Sequence, residues 1–432
     1  MNIKSIFIWA LRKGQAKAFV RQVSDATSRL EKFNAIWNDA YVNVPLYKEW
    51  KEKYNLPDEI SSLSELKEWP VLEKKDLILN KDKLVRQDIK KFYESVTGGA
   101  TGEPLHFRTM PGESDAVTMN KWIGWARMGI YPDSKCFLLW GHRHFYGQGI
   151  KSNLKFAWRQ FKDWMTNNLR ADATDLSPAA LKKDVVKLIR FKPECIIAYS
   201  ASLLALVRTC KEYQQKCQSL QIKGIICTAG PLTKDERDEI GSFFNAPVGM
   251  EYGSMEGGVM AYQTPKTRGR YKVFDSTHLI HIGKQGEDSL GQIFLTSLTR
   301  RYLPLIRYRI GDYASDSYIR EDGTVESFSE VTGRVGDMID LGNGVRFHGY
   351  SLMVCAEENS KIIAYQLKVN KKNGTITFLA QTLMPLSSSE ILHIQKHAAD
   401  VASILPECIK VEEVTELIKA PSGKIRLVIE ES

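Results

Sequence analysis

The chain has 432 residues, with 60 Lys and Arg against 51 Asp and Glu and a net charge of +9. Its 43% hydrophobic and 26% charged residues are the composition of a globular protein, which excludes a disordered, collagen-like or low-complexity chain. The length leaves room for roughly two to three domains.

Residues 1–30 carry six basic side chains and one acid, Asp25, and so hold more than half of the net charge. The apolar run there, Ile6 to Leu11, is too short to cross a bilayer or to serve as a secretory core. Two readings stay open for this segment: a solvated amphipathic helix docked on the core, or peripheral contact with an anionic membrane surface. The remaining chain is nearly balanced in charge and has no basic stripe interleaved with aromatics, so nucleic acid is not an expected partner. The seven cysteines are scattered, none in a C-x-x-C pair, and most lie in apolar runs. Buried reduced thiols and a cytoplasmic location are the expectation.

From about residue 91 the pattern alternates short apolar runs with longer amphipathic ones. FYESV (92–96) and PLHFR (104–108) read as strands and 113–128 as a helix, followed by the strand KCFLLWG (135–141). SPAALKKDVVKLIRF (177–191) has a Ser N-cap and apolar residues at i, i+3 and i+4. The strand ECIIAYS, a helix over 202–216, the strand IKGIICTA, a helix over 233–244 and the strand VGMEYG follow. This alternation predicts a parallel sheet covered by helices. Beyond residue 270 the texture turns to strands: LIHIG, GQIFLTSL, LIRYRIGD and TVESFS. The last hundred residues read as an α+β unit with a hairpin at NKKNG (370–374), a helix over 390–405 and strands around the loop KAPSGK. The boundary between the large and small domains falls near 333–340, giving domains 1–335 and 336–432.

Five segments can carry chemistry. TGGATGEP (97–104) joins two strands with three glycines and two threonines, so its amides and hydroxyls can face a phosphate; a Gly-rich hairpin turn is the bland alternative. Glu103 stands where a Walker A lysine would be needed. YGSMEGG (252–258) ends a strand, where open α/β sheets bind ligands. RYRIGD (307–312) sets an aspartate at a turn, able to accept from a ribose diol or to form a structural ion pair. GRVGD (333–337) lies at the boundary, and PSGKIR (421–426) is a Gly-Lys loop. The polar, aromatic loop at 141–149 holds His142 and His144, read as substrate contacts or as solvated surface imidazoles, with no acidic or Cys partners for a metal. Trp122, Trp125, Trp158 and Trp164 fall at helical spacings and are expected in the core.

In order and spacing these segments resemble the motifs of the adenylate-forming superfamily of acyl- and aryl-CoA ligases, luciferases and peptide-synthetase adenylation domains. TGGATGEP resembles its phosphate loop, Thr228-Ala229-Gly230-Pro231-Leu232 its adenine-side turn and YGSME its Y-G-x-T-E motif. RYRIGD, GRVGD and PSGKIR resemble R-Y-R-T-G-D, the hinge G-R-x-D-D and G-K-x-x-R. NVPLYKEW (43–50), WPVLEKKDL (69–77) and KPECIIAYSASLLAL (192–206) are similar to segments of the phenylacetate–CoA ligase branch and its relatives in capsular polysaccharide biosynthesis. The resemblance implies a large α/β adenylate-forming domain with parallel sheets and a small mobile α+β C-terminal domain. It implies ATP, Mg²⁺ and a small carboxylic acid as ligands, with CoA or an aminosugar as acceptor.

Residue by residue, it implies that Thr97, Thr101 and the amides of Gly98, Gly99 and Gly102 hold the β- and γ-phosphates. Glu256 would hold Mg²⁺, and Gly253 and Ser254 would bind the nucleotide. Ala229, Gly230, Pro231 and Tyr252 would enclose the adenine, and Asp312 with Arg334 the ribose. Lys424 would place an ammonium between carboxylate and α-phosphate, and the small domain would turn about residue 336. Ala100, Met255 and Gly336 depart from the family's usual Ser or Thr, Thr and Asp. A nucleotide-binding partner of a polysaccharide-synthesis assembly, without catalysis, is the competing class.

Overall fold

The structure is a computed structural model that describes residue 8 and residues 28–432, apart from 81, 97–105, 141–149, 174–177, 231, 233, 284–289, 333–337, 342–345, 349–351, 353–354, 356–358, 360, 383, 416, 419–427 and 432. The basic N-terminal segment therefore lies almost wholly outside the described residues. Two compact units divide the chain. The first comprises residues 1–96, 106–134 and 247–332, and the second 97–105, 135–246 and 333–432.

The first unit opens with helix α1 (Arg29–Asn43), started by a reciprocal Ser28–Glu31 capping box. Its Phe33, Ile36, Trp37 and Ala40 are buried at helical spacing, and Trp37 packs edge-on against Tyr47 and Trp69. Helix α2 (Pro45–Lys53) has its proline in the first turn, where no amide is missed. Its Tyr47 is buried, and the hydroxyl donates to Pro304 O (2.7 Å). The segment 69–77 feeds helix α3 (Lys74–Leu79). Strands β1 (Tyr93–Val96) and β2 (His106–Thr109) pair antiparallel, and helix α4 (Glu113–Ala126) follows.

The second unit contributes the parallel strands. These are β3 (Cys136–Leu139), helix α5 (Ile150–Met165), β4 (Asn168–Ala171), helix α6 (Pro178–Phe191), β5 (Cys195–Tyr199), helix α7 (Ser200–Thr209), helix α8 (Gln214–Gln218), β6 (Gly224–Thr228) and helix α9 (Lys234–Phe244). β4, β3, β5 and β6 lie side by side in that order, all parallel. The expected alternation is observed. One predicted helix is broken: 202–216 divides at Cys210 into α7, a 3-10 turn and α8. The register also corrects the expectation of reduced thiols throughout. It sets Cys136 opposite Cys195, with Cα atoms 4.9 Å apart, and the two form a disulfide. Sequence spacing cannot reveal a pair made by strand register. Cys210, Cys217 and Cys227 remain buried thiols.

The first unit resumes with β7 (Val248–Ser254), β8 (Gly258–Gln263), β9 (Tyr271–Val273), β10 (His278–Ile282), β11 (Leu290–Ser297), β12 (Tyr308–Ser315), β13 (Tyr318–Ile319), β14 (Val325–Phe328) and β15 (Glu330–Thr332). β7, β8, β9, β14 and β13 form one antiparallel run, and β10, β11, β12 and β15 a second sheet. β12 alternates strictly, burying Tyr308, Ile310, Asp312 and Ala314 on one face.

The C-terminal residues of the second unit contain β16 (Met338–Asp340), β17 (Arg346–His348), β18 (Ile362–Asn370), β19 (Thr375–Thr382), helix α10 (Ser388–Ala402), β20 (Ile409–Glu413) and β21 (Val428–Glu430). The expected hairpin is present: Asn370 faces Thr375, and Asn370 Oδ1 accepts the Asn373 amide (3.0 Å). β20 and β21 add in parallel at either edge of this hairpin. A core of Leu367, Val369, Ile376, Phe378, Ile394 and Ile409 lies within these residues. Among the described residues no helix is long and apolar enough to cross a membrane.

Candidate active site

The site in the first unit is built on the turn from β7 to β8. A side chain at Gly253 would put its Cβ 2.5 Å from Gly258 O, and one at Gly257 would put it 2.7 Å from Met260 Sδ. Backbone stands in the way at Gly253, so only glycine fits there, whereas at Gly257 the crowding comes from the Met260 and Leu295 side chains. The Gly257 amide donates to Ser254 Oγ (2.9 Å). His278 Nε2 meets Gly257 O at 2.8 Å, while its Nδ1 lies 2.9 Å from Thr277 Oγ1. Full burial pushes the His278 pKa down to about 4, so the ring is neutral and serves as a fixed strut under the turn. The turn is rigid.

Two carboxylates are held beside it. Asp312 on β12 is 9% exposed, and Tyr252 Oη donates to its Oδ2 at 2.8 Å. The Tyr252 ring stands edge-on to Phe328, which stacks on Tyr271. Glu256 is 4% exposed, and Tyr308 Oη donates to its Oε1 at 3.2 Å. Tyr308 and Asp312 share the buried face of β12, so one strand reaches both carboxylate-bearing positions. The buried Arg300 guanidinium has its pKa lowered by burial, an effect opposed by the charges of Glu113 and Glu256. Glu113 in turn accepts the amides of Arg301, Tyr302 (2.7 Å) and Met110 (2.9 Å), which fixes the chain around Arg300.

The start of β12 is anchored by the segment at 69–77. The Leu72 amide donates to Arg307 O (3.2 Å), and the Arg309 amide donates to Leu72 O (2.9 Å). Arg309 also pairs with Glu73 (2.9 Å), and Arg307, at φ 49°, donates to Trp69 O. RYRIGD thus carries a structural ion pair and a buried aspartate together.

In the second unit the C-terminal ends of the parallel strands carry a separate set. Trp140 follows β3 and meets Tyr199, the last residue of β5, with ring centroids 4.7 Å apart. Ser200 Oγ, 2.6 Å from Gly230 O and 3.1 Å from Thr228 O, holds the turn after β6, where Ala229 has φ 66°. Such strand ends are where parallel α/β sheets bind ligands.

Of the residues singled out from sequence, Tyr252, Gly253, Ser254, Glu256 and Asp312 come together in the first unit. Ala229 and Gly230 sit at a strand end of the second. Thr97, Gly98, Gly99, Thr101, Gly102, His142, His144, Pro231, Arg334 and Lys424 lie outside the described residues. Sequence reasoning missed Tyr308, Arg300, His278 and Ser200. Tyr308 stood inside RYRIGD, and its tyrosine could have been read as a partner for a buried acid; nothing in the sequence marks the others. Two tryptophans correct the core expectation. Trp122 is buried and Trp125 donates to Glu251 (2.8 Å), whereas Trp158 and Trp164 are 58% and 67% exposed.

No family model matches the chain. Protein CapK of Staphylococcus aureus is 26% identical over 287 residues, 65% of this chain. The match spans 61% of the length of that curated relative. Among solved structures, 2-hydroxyisobutyryl-CoA ligase with 2-HIB-AMP and CoA in the thioesterification state superimposes with a TM-score of 0.58. It is 15% identical, over 93% of this chain and 89% of that one. The same ligase in the postadenylation state with 2-HIB-AMP gives a TM-score of 0.56 at 15% identity and the same coverage. The chain shares the fold of that ligase. A large α/β part with parallel and mixed sheets and a smaller C-terminal α+β part agree with the architecture expected from sequence.

Proposed function

We propose that this chain activates a carboxylic acid with ATP and passes the acyl group to CoA or to an amine. The observation that carries the reading is the Tyr252–Asp312 hydrogen bond, which joins two motif residues 60 positions apart. In the first step a carboxylate oxygen attacks the α-phosphorus of ATP, the bond to the β-phosphate oxygen breaks, and pyrophosphate leaves. In the second, a thiol or amine attacks the acyl carbon, loses its proton, and releases AMP.

Two anions must meet in the first step, so positioning and charge neutralisation set the rate. In this reading Tyr252 covers the adenine with Ala229, Gly230 and Pro231, and Asp312 accepts from the ribose diol with Arg334 beside it. The Thr97–Gly102 loop cradles the β- and γ-phosphates. Lys424 supplies a mobile ammonium at the point of attack, a role that suits a flexible point charge. His142 and His144 contact the acid.

Glu256 fits a magnesium ion in the manner usual for that metal, which takes one or two carboxylates and completes its shell with water and substrate phosphates. Among the described residues no group of three or more His, Cys, Asp or Glu forms a cage of its own. Mg²⁺ would spread the charge that grows on the departing pyrophosphate. Tyr308 orients the Glu256 carboxylate, and the buried Arg300 adds positive potential nearby.

Within this fold, the segments at 43–50, 69–77 and 192–206, together with the likeness to Protein CapK, support the phenylacetate–CoA ligase-like branch and its capsular polysaccharide relatives. We place the pivot of the C-terminal domain near 335–336. A screen of carboxylic acids for ATP-dependent pyrophosphate release, with CoA and aminosugars as acceptors, tests the reading. Acid-dependent release is the expected result. ATP binding without release for any acid would favour the non-catalytic nucleotide-binding partner.

A further inference from the structure

Helix α5 (Ile150–Met165, IKSNLKFAWRQFKDWM) is strongly amphipathic, yet it is turned against the usual rule. At 3.6 residues per turn Leu154, Trp158, Phe161 and Trp164 fall on one arc of about 120°. These four are 64%, 58%, 45% and 67% exposed. Among the described side chains of this helix the buried one is Asp163, 6% exposed, which pairs with Arg170 on β4 (2.9 Å) and draws Arg159 to it (3.5 Å). The polar edge of the helix therefore anchors it to the sheet, and the apolar stripe faces solvent. Trp158 and Phe161 stack at 5.6 Å, and Phe161 and Trp164 lie 6.0 Å apart, so the stripe is a continuous aromatic ridge.

Lys155, Arg159 and Lys162 occupy the adjacent arc and are exposed. Lys162 Nζ lies 5.3 Å over the Trp158 ring. The acid on this helix, Asp163, is already buried in its ion pairs, so the exposed surface is positive beside the aromatic ridge. Protein–protein interface cores are depleted in lysine. A Trp, Phe and Leu ridge flanked by Lys and Arg is instead the make-up of a helix lying in a lipid interface, with aromatic rings at headgroup depth and long basic stems reaching the phosphates.

We propose that the outward face of α5 docks on an anionic phospholipid surface, with Leu154, Trp158, Phe161 and Trp164 entering the headgroup layer and Lys155, Arg159 and Lys162 meeting lipid phosphates. The chain's net charge of +9 acts in the same sense and brings the protein to such a surface. Membrane docking and acid activation are separable, because no α5 side chain belongs to the proposed reaction.

Flotation of the purified full chain with vesicles tests this. Vesicles of phosphatidylglycerol and phosphatidylcholine in equal parts should carry the protein at low salt, and phosphatidylcholine vesicles should not. Lys155→Glu/Lys162→Glu should lower the vesicle partition coefficient on the order of tenfold or more. Trp158→Ser/Phe161→Ser should abolish flotation, with the thermal midpoint and pyrophosphate release in solution unchanged. Three results would each overturn the proposal. The wild type fails to float with anionic vesicles; both variants float like the wild type, which assigns binding to another basic segment; or the wild type is a dimer that Trp158→Ser/Phe161→Ser disperses, which makes the ridge a self-association surface.

Discussion

Two regions of this molecule break the burial rule in opposite senses. On β12 and the β7–β8 turn, Asp312 and Glu256 are taken out of water, each with a tyrosine hydroxyl donating to it. On α5 two tryptophans, a phenylalanine and a leucine are left in water. Ordinary folding explains neither, since buried charge and an exposed apolar ridge both oppose stability. The difference lies in what each region awaits. In the function proposed above, the carboxylates are held by the chain's own tyrosines for a small polar ligand, whereas the proposed docking of α5 gives the ridge something larger to complete itself on.

The comparison can be broken most sharply at the reaction. Lys424→Ala should slow adenylate formation about 10³-fold, by analogy with loss of one charge-stabilising donor. It should spare transfer from a supplied acyl-adenylate, as read by pre-steady-state pyrophosphate release and by product formation. Adenylation at the wild-type rate would remove Lys424 from the site.

The next largest effect is on stability. His278 and His281 are buried with pKa values pushed down to about 4. In the unfolded chain they titrate near 6.5, so between pH 6.5 and 4 the unfolded state binds more protons and folding weakens as pH falls. Each contributes about 3 kcal/mol of destabilisation across that window and nothing above it. Thermal midpoints measured from pH 7 to 4 should fall through this range, and His281→Gln should flatten the slope.

Asp312→Asn should raise the KM for ATP roughly tenfold to a hundredfold, the worth of charge-assisted hydrogen bonds to a ribose diol. Tyr252→Phe should cost up to about tenfold, and the double variant should cost less than the product of the two, because they share one hydrogen bond. Additive losses would separate Tyr252 from Asp312 in function. The smallest effect belongs to α5: Trp158→Ser should shift folding stability by less than about 0.5 kcal/mol, as for an exposed side chain without a packing partner in the core.

Much of the fold was legible. The parallel strands β3, β5 and β6, the C-terminal hairpin and the helices α4, α6, α9 and α10 follow from hydrophobic period and turn residues. The glycines of YGSMEGG were legible as a motif, and the structure supplies a cause: backbone crowding at Gly253 and side-chain crowding at Gly257. What period cannot supply is sidedness. The spacing of Trp158 and Trp164 predicts a shared helical face, which is correct, and a core location, which is not: the helix buries Asp163 against Arg170 and leaves both tryptophans exposed. Register is equally hidden: nothing local sets Cys136 against Cys195 or Tyr308 against Glu256. Such contacts between distant segments exist only once the strands are aligned.

Isotope transfer tests the central claim most directly. An acid found in the pyrophosphate screen, labelled with oxygen-18 in its carboxylate, is turned over with ATP and acceptor, and the AMP is weighed by mass spectrometry. Attack of the carboxylate on the α-phosphorus predicts AMP carrying one oxygen-18. Unlabelled AMP, or label appearing in inorganic phosphate, would contradict the account.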